Sequence, residues 1–530
     1  MNYILTDARI MTMAPGTGGF AQADSLLVEN GRIKSIGSKA ECLSSASRRY
    51  ETISLQHKVL LPAFCDTHTH FVELAKGRFQ LKLKGLNSIA AIKEAAQSYR
   101  DTNAKLPDWV LGDGWDINII DAPQYLNRKL LDELFPDVPV ALFSKDYHSK
   151  WCNSLALKHS GLLDALNSPF GDDLVKRDED GLATGLIYEA ATEYLERFVT
   201  PPSDKELQKA IKQELAHIFS LGLGGFHSME SGASAAALTN AMNAGANFRC
   251  VWHFPLADLD HMITQGVTSY REQTSFIIGG VKIFADGALG SKTAAMLQAY
   301  PEEPCNFGVL RYNQDELDAI IVKAAKHNIA CTIHAIGDLA VRNVIQCFYK
   351  HRISSQGNLL LQRIEHLQAI ATEDLVRLQK SGAYCAMQPV HLANDVPMIE
   401  QSWRKVKDRA YRFHDIMRLG IPYGFGSDAP IETIDPFKGI YSAIARKPCN
   451  DPSQPSWFPK QRIGVLDALR GYTLAAAAGS LSHDWRGSLE PGKVADIIAI
   501  EDWSGKPDEF WLEQRCSFCM VDGHINYIEI

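Results

Sequence analysis

The chain has 530 residues, a length that calls for one large domain with attachments or for two to three domains. Hydrophobic residues make up 46% and charged residues 22%, ordinary globular usage that excludes a disordered or fibrous chain. A formal charge of -8 supplies no basic surface for nucleic acid, and no run approaches the roughly 18 apolar residues of a membrane helix, so the expected partner is a small molecule.

In chain order, residues 1–60 predict short strands and turns (YILTDARIMTM, DSLLVENGRIKSIG, TISLQHKVLLP), with Asn30-Gly31 as a hairpin signal. The stretch MNYILTDARIMTM lacks a basic region followed by a long apolar core, and the 11 cysteines are scattered and odd in number. Both features predict reduced thiols and a cytoplasmic location. Residues 61–76 open with LPAFCDTHTH, read after the preceding apolar run as the first strand of a barrel. Strand alternation has a period of two, so His68 and His70 leave its end on the same side, as two ligands of one ion must.

Residues 77–205 break the rhythm and are too long for one connection, which predicts an insertion over the barrel mouth. From 206 to 480, strand-like runs (GLGGFHSM, NFRCVWHF, IIGGVKIFADG, IACTIHAIGD, LQRIEHLQA, AYCAMQPV, IPYGFGSDAP) alternate with helical periodicity, as in QDELDAIIVKAAKHN. With the strand before His68 they make eight units, so the predicted fold is α/β, a (β/α)8 TIM barrel with its chemistry at the strand C-termini. Residues 481–530 return to strands, GSLEPGKVADIIAIED and CSFCMVDGHINYIEI, and predict a small β-sandwich built from both chain termini. Cys516 and Cys519 form a CxxC with no second pair, at a spacing that turns them to opposite faces of a strand, so no metal or redox site is expected there.

Six residues fall at predicted strand ends: His68 and His70 on the first, Lys282 on the fourth, His334 on the fifth, His366 on the sixth and Asp428 on the eighth. Taken singly, His334 or His366 reads equally as an interior histidine, Asp428 as a helix N-cap and Lys282 as a salt-bridge partner. Their joint arrival at one mouth predicts a divalent metal site, zinc by ligand type, with Lys282 joining only if its ammonium is removed, as by carboxylation.

The motifs LPAFCDTHTH, VKIFADGALGSKTAAM, HAIGD, RIEHLQ, GSDAP followed by DPF, and GSLEPGKVADI resemble the amidohydrolase superfamily, in the amidohydrolase-3-type branch that includes N-substituted formamide deformylase. The resemblance implies that His68 and His70 bind a first metal with Asp428, that His334 and His366 bind a second, and that Lys282 bridges them as a carbamate. An uncarboxylated Lys282 would favour one metal. The expected chemistry is attack of metal-bound hydroxide on an amide, N-acyl or N-formyl amine, with Asp428 taking the proton and delivering it to the leaving nitrogen. Deamination or cyclic-amide opening on the same site is the alternative, and a non-catalytic binding barrel a second.

Outer-sphere candidates are Glu365 and Asp338, with a structural ion pair the competing role for Glu365. Asp286 and Gly287, in the Gly-rich loop after Lys282, are candidates for substrate contact or a plain turn. His148, Trp151, Asn153 and Glu189 are placed over the mouth, with His148, Trp151 and Glu189 as candidate substrate contacts. His227 and His253 are read as pocket lining or core, and Trp109, Trp115 and Trp403 as pocket or core aromatics. A homodimer is the default expectation.

Overall fold

Eight parallel strands follow one another around a single sheet: β1 Phe64–Thr69, β2 Leu223–Ser228, β3 Arg249–Pro255, β4 Phe276–Phe284, β5 Cys331–Ala335, β6 Arg363–His366, β7 Tyr384–Met387 and β8 Tyr423–Phe425. The computed structural model describes residues 2–530 apart from 17, 48, 104–105, 146–147, 272 and 355–359. The strands are largely buried on both faces, and most are apolar runs, although β1 and β6 carry buried polar residues such as Asp66, Arg363 and Glu365. Helices return the chain between them, as with Gln314–Lys326, which starts at a capping box of Asn313 and Glu316 and turns Leu317, Ile321 and Ala324 inward. Closure comes from a parallel bridge between Thr69 and Ala429, just beyond β8. This is the (β/α)8 barrel that eight strand units predict.

The termini form the expected sandwich. One sheet orders Arg32–Gly37, Ser25–Glu29, Tyr3–Thr6 and Glu51–Ser54; the other orders Arg9–Ile10, Val59–Pro62, Ile497–Ile500, Cys516–Val521 and His524–Ile528. Leu5, Leu26 and Val28 of the first sheet pack with Leu60, Ile497 and Phe518 of the second in one buried cluster. Cys516 and Cys519 of the second sheet are free and buried, and burial pushes the Cys516 thiol up to about 12, so they are not a reactive pair.

Two compact units make up the chain, Met1–Leu74 with Ile211–Ile530, and Ala75–Ala210. The second has its own six-stranded sheet, ordered Val175–Arg177, Ala183–Tyr188, Ser149–Cys152, Val140–Ser144, Val110–Trp115 and Leu81–Lys82, and its own apolar clusters. Among the described residues no helix is long and apolar enough to cross a membrane.

At the start of β3 the guanidinium of Arg249 grips Asp496 with two hydrogen bonds, of 2.9 and 3.0 Å, joining the barrel to the sandwich. Burial works to raise the Asp496 carboxyl, but the Arg249 charge outweighs it and holds the group below its ordinary value. A carboxyl depressed in the folded state stabilises above its unfolded pKa, and that contribution is lost as pH falls through the folded value. Asp496→Ala is therefore expected to cost about 1.5–3 kcal/mol near neutral pH, because it removes two charge-assisted hydrogen bonds from a buried guanidinium that Asp522 and Ser275 still hold. Denaturant titrations of both proteins should find this difference shrinking below about pH 4.

Candidate metal centre

Period-two alternation places His68 and His70 on one side of the end of β1, and the eighth strand brings Asp428 between them. Asp428 Oδ1 lies 3.4 Å from His68 Nε2 and 3.2 Å from His70 Nε2. The three ligand atoms lie within 4.8 Å of one another. Backbone bonds set this distance: Asp428 N–H donates to the His68 carbonyl at 2.7 Å and His70 N–H to the Ala429 carbonyl at 2.8 Å. The approach needs a glycine at 426, where a Cβ would sit 2.5 Å from His68 N. Asp428 itself turns through φ 61°, a left-handed conformation that aspartate tolerates better than most residues.

His334 and His366 form the neighbouring part of the site. Their ring centres are 4.5 Å apart, and His366 lies 4.7 Å from His68. Arg363 and Glu365 point into the barrel with the strand's alternation, so His366 would face outward. A left-handed turn, φ 71° at His366, brings it back to the mouth.

Each of the four imidazoles has an outer acceptor. His68 Nδ1–H donates to Glu365 at 2.5 Å, His70 Nδ1–H to the Met229 carbonyl at 3.1 Å, His334 Nε2–H to the Gly287 carbonyl at 3.0 Å, and His366 Nδ1–H to Gln388 Oε1 at 2.9 Å. That fixes each tautomer and leaves the other ring nitrogen as a lone-pair donor. For His334 Nδ1 and His366 Nε2 no protein partner competes among the described residues. Nitrogen lone pairs with one carboxylate are the donor set a borderline divalent ion takes, so the residues present fit a metal.

Electrostatics keep His68, His334 and His366 available, all three depressed by burial first, whereas at His70 burial is outweighed by the hydrogen bond and charge of Asp428, which raise it above its ordinary value. Burial, then the charge of Lys282, pushes His68 well below its ordinary value and His334 down to about 4. Burial also raises the cost of the Asp428 carboxylate, but the facing His68, His70 and His366 outweigh it and hold the group well below the usual carboxylate range. Lys282 Nζ lies 3.2 Å from His68 Nε2 and 3.2 Å from Met229 Sδ, and burial brings it down to about 8, within reach of the neutral amine.

Several expectations need correction. Asp286 is fully buried, and its oxygens accept from the N–H groups of Ala295, Ile336 and Gly337 at 2.8–3.1 Å, so it braces a loop and has no oxygen for substrate. Gly287 serves through its carbonyl, on His334. Asp338 takes Leu297 N–H and Arg409, and contacts no ligand imidazole among the described residues. Glu365 has both roles weighed for it, accepting from His68 while paired to Arg363 at 2.9 Å.

Trp109, Trp115 and Trp151 lie in the apolar clusters of the second unit; Trp151 is 0% exposed with its indole N–H on Asn127 O, which leaves no face for a ligand. Asn153 caps the helix Ser154–His159. His148 and Glu189 pair with each other at 3.2 Å, both exposed. His227 and His253 are buried inside the barrel, on Arg363 and Thr332 respectively, and Trp403 is buried. Gln388 was missed; its signal is a polar residue closing the apolar run YCAM.

A model of the amidohydrolase family matches residues 51–525. The chain belongs to the amidohydrolase family, in its amidohydrolase-3 branch. Similar family members are the putative amidohydrolase YtcJ of Bacillus subtilis (strain 168), 32% identical over 499 residues and 92% of each chain, and the N-substituted formamide deformylase of Arthrobacter pascens, 25% identical over 501 residues and 90% of each. Among solved structures, an uncharacterized metal-dependent hydrolase from Pyrococcus furiosus matches with a TM-score of 0.78 at 25% identity, over 94% of this chain and 98% of that one. This amidohydrolase is a metal-dependent hydrolase.

Because the outer acceptors set the tautomers, removing one should weaken metal retention without unfolding the barrel. Gln388→Ala is expected to lower metal affinity by about 10–100-fold. Competition against a chromophoric chelator measures this, with circular dichroism unchanged.

Proposed function

We propose that this amidohydrolase cleaves a non-peptide C–N bond in an amide, an N-acyl amine or an N-formyl amine. The observation that carries the reading is the set of four imidazoles, each satisfied outward and presenting a lone pair beside one ionised carboxylate. The relative named N-substituted formamide deformylase supports the choice of bond. In this reading His68, His70 and Asp428 would hold one zinc ion, His334 and His366 would hold a second, and Lys282, once carboxylated, would serve as a further ligand to the pair. A bound divalent ion supplies Lewis-acid polarisation of a carbonyl and acidification of water.

The chain's own groups do the rest. Asp428 Oδ1 faces His68 and His70, which leaves Oδ2 to take a proton and return it to the leaving nitrogen. His391, whose Nε2–H donates to the Ser427 carbonyl at 3.1 Å, stands 3.9 Å from Oδ2 and limits how far that carboxylate swings. Lys282 would reach the carbamate when its neutral amine, a form that burial favours, adds CO2 at nitrogen and releases one N–H proton to water.

Elemental analysis of protein purified without added metal is expected to give about two zinc ions per chain, and native mass spectrometry the added CO2 on Lys282. His334→Ala and Lys282→Met should each lower the metal count. Against a panel of formamides and N-acyl amines, Asp428→Asn is expected to lose about a thousandfold or more in kcat with the fold kept. Near-normal turnover would remove Asp428 from the proton transfer, and a metal-free protein that stays metal-free on zinc addition would end the reading.

A further inference from the structure

Residues 285–311, leaving β4, form a loop tied down at several points. The Asp286 carboxylate gathers the N–H groups of Ala295, Ile336 and Gly337. Val309 N–H donates to Thr293 O at 3.0 Å and Arg311 N–H to Ala285 O at 2.9 Å, so the loop returns Arg311 to the end of β4. The return passes Gly308, with φ 77°, where a Cβ would lie 2.0 Å from Ala294 O. The position of Arg311 is therefore built into the backbone.

Two side chains on this path lack an explanation in the fold. Phe284 lies two residues after Lys282 on the same face of β4, with its ring centre 5.1 Å from that of His334, yet it is 44% exposed. The Arg311 guanidinium carbon lies 5.7 Å from the centre of the same ring. Arg311 is exposed and its side chain makes no hydrogen bond or ion pair among the described residues. The nearby carboxylate of Asp286 is committed to three backbone donors. A cation anchored through its backbone thus stands one aromatic ring away from His334, with its side-chain donors unused among the described residues.

We infer that Arg311 holds a carboxylate of the substrate, so that the hydrolysed compound is an acid-bearing amide whose apolar segment lies on Phe284. The inference rests on the amide-hydrolase reading above and names its substrate class. A guanidinium offers a carboxylate two parallel N–H donors, and the ring beside it packs an apolar spacer between acid and scissile bond.

The test compares two probes on the holoenzyme and on Arg311→Gln: N-formyl-6-aminohexanoate, and N-pentylformamide, which lacks only the carboxylate. Affinity is read as Kd by calorimetry where the compound is not hydrolysed and as KM where it is. The wild type is expected to prefer the acid by about tenfold. Arg311→Gln should remove that preference while leaving the neutral probe unchanged. Equal affinity for both probes in the wild type, a preference that survives in Arg311→Gln, or no binding of either at about 5 mM would each overturn the assignment. Following formate release in the same samples separates the two readings. Preferential binding without hydrolysis of any amide would end the hydrolase reading and keep the anion site, and hydrolysis without preference would end Arg311's role alone.

Discussion

Asp428 N–H donates to the His68 carbonyl and His70 N–H to the Ala429 carbonyl, so the seam that closes the barrel runs through residues that hold the metal position. A sheet of eight strands closes only in one register, and a slip of one residue would turn each strand's side chains to the opposite face. Here that register also fixes the distance from the Asp428 carboxylate to both imidazoles of β1. Gly426 permits the close approach, and the left-handed backbone at Asp428 aims the carboxylate inward. Non-glycine residues in that conformation cost of order 1 kcal/mol or more and persist where surrounding structure over-determines them. The closing bonds supply that surrounding structure.

Below the mouth the barrel interior is polar where hydrocarbon would pack more favourably. Arg363 is fully buried and donates to Glu365, His227 Nδ1, Thr67 O and Gly479 O. Burying such a charge is tolerable only when its donors are met, and even then an apolar replacement is often as stable. Its presence follows from the layer above: His68 needs an acceptor on Nδ1, Glu365 provides it, and an anion that deep requires a cation. The metal position thereby dictates two further charged residues, one step down the strands. Burial keeps the neighbouring His227 and His253 well below their ordinary values, so this layer adds no further cation next to Arg363.

Much of this was legible in the sequence, because strands buried on both faces and helices with one apolar stripe leave distinct periods. The eight strand units, the sandwich from the two termini and the strand-end residues all follow from those periods. Glu365 and His366 were harder, since a period-two strand puts adjacent residues on opposite sides, and only the left-handed turn at His366 lets both serve the site. Asp286 misled for a related reason: a carboxylate in a Gly-rich loop looks available, whereas three backbone donors from two different segments occupy it. Trp151 and Asn153 sit in a segment whose motif-like pattern is equally the pattern of a core strand and a helix cap. No local spacing distinguishes those cases, because the deciding partners, Asn127 and Val140, arrive from elsewhere in the fold.

The loop braced by Asp286 links two properties that could have been independent. Through Gly287 it supplies the acceptor that fixes the His334 tautomer, and through its return it sets Arg311 against Phe284. Burial raises the Asp286 carboxyl to about 7, against the pull of its backbone donors, so the brace is a charge held at a cost. Loss of that brace would disturb His334 and Arg311 together. The exposed positions of residues 288–310, such as Ser291, Gln298 and Glu302, can by contrast change side chains without moving either anchor, provided the buried Leu289, Ala294, Met296 and Tyr300, Gly308 and the Ala285 and Thr293 carbonyl contacts remain. Substrate preference can then vary along the loop while the geometry of the imidazoles stays constant, which is how one barrel accommodates different leaving groups.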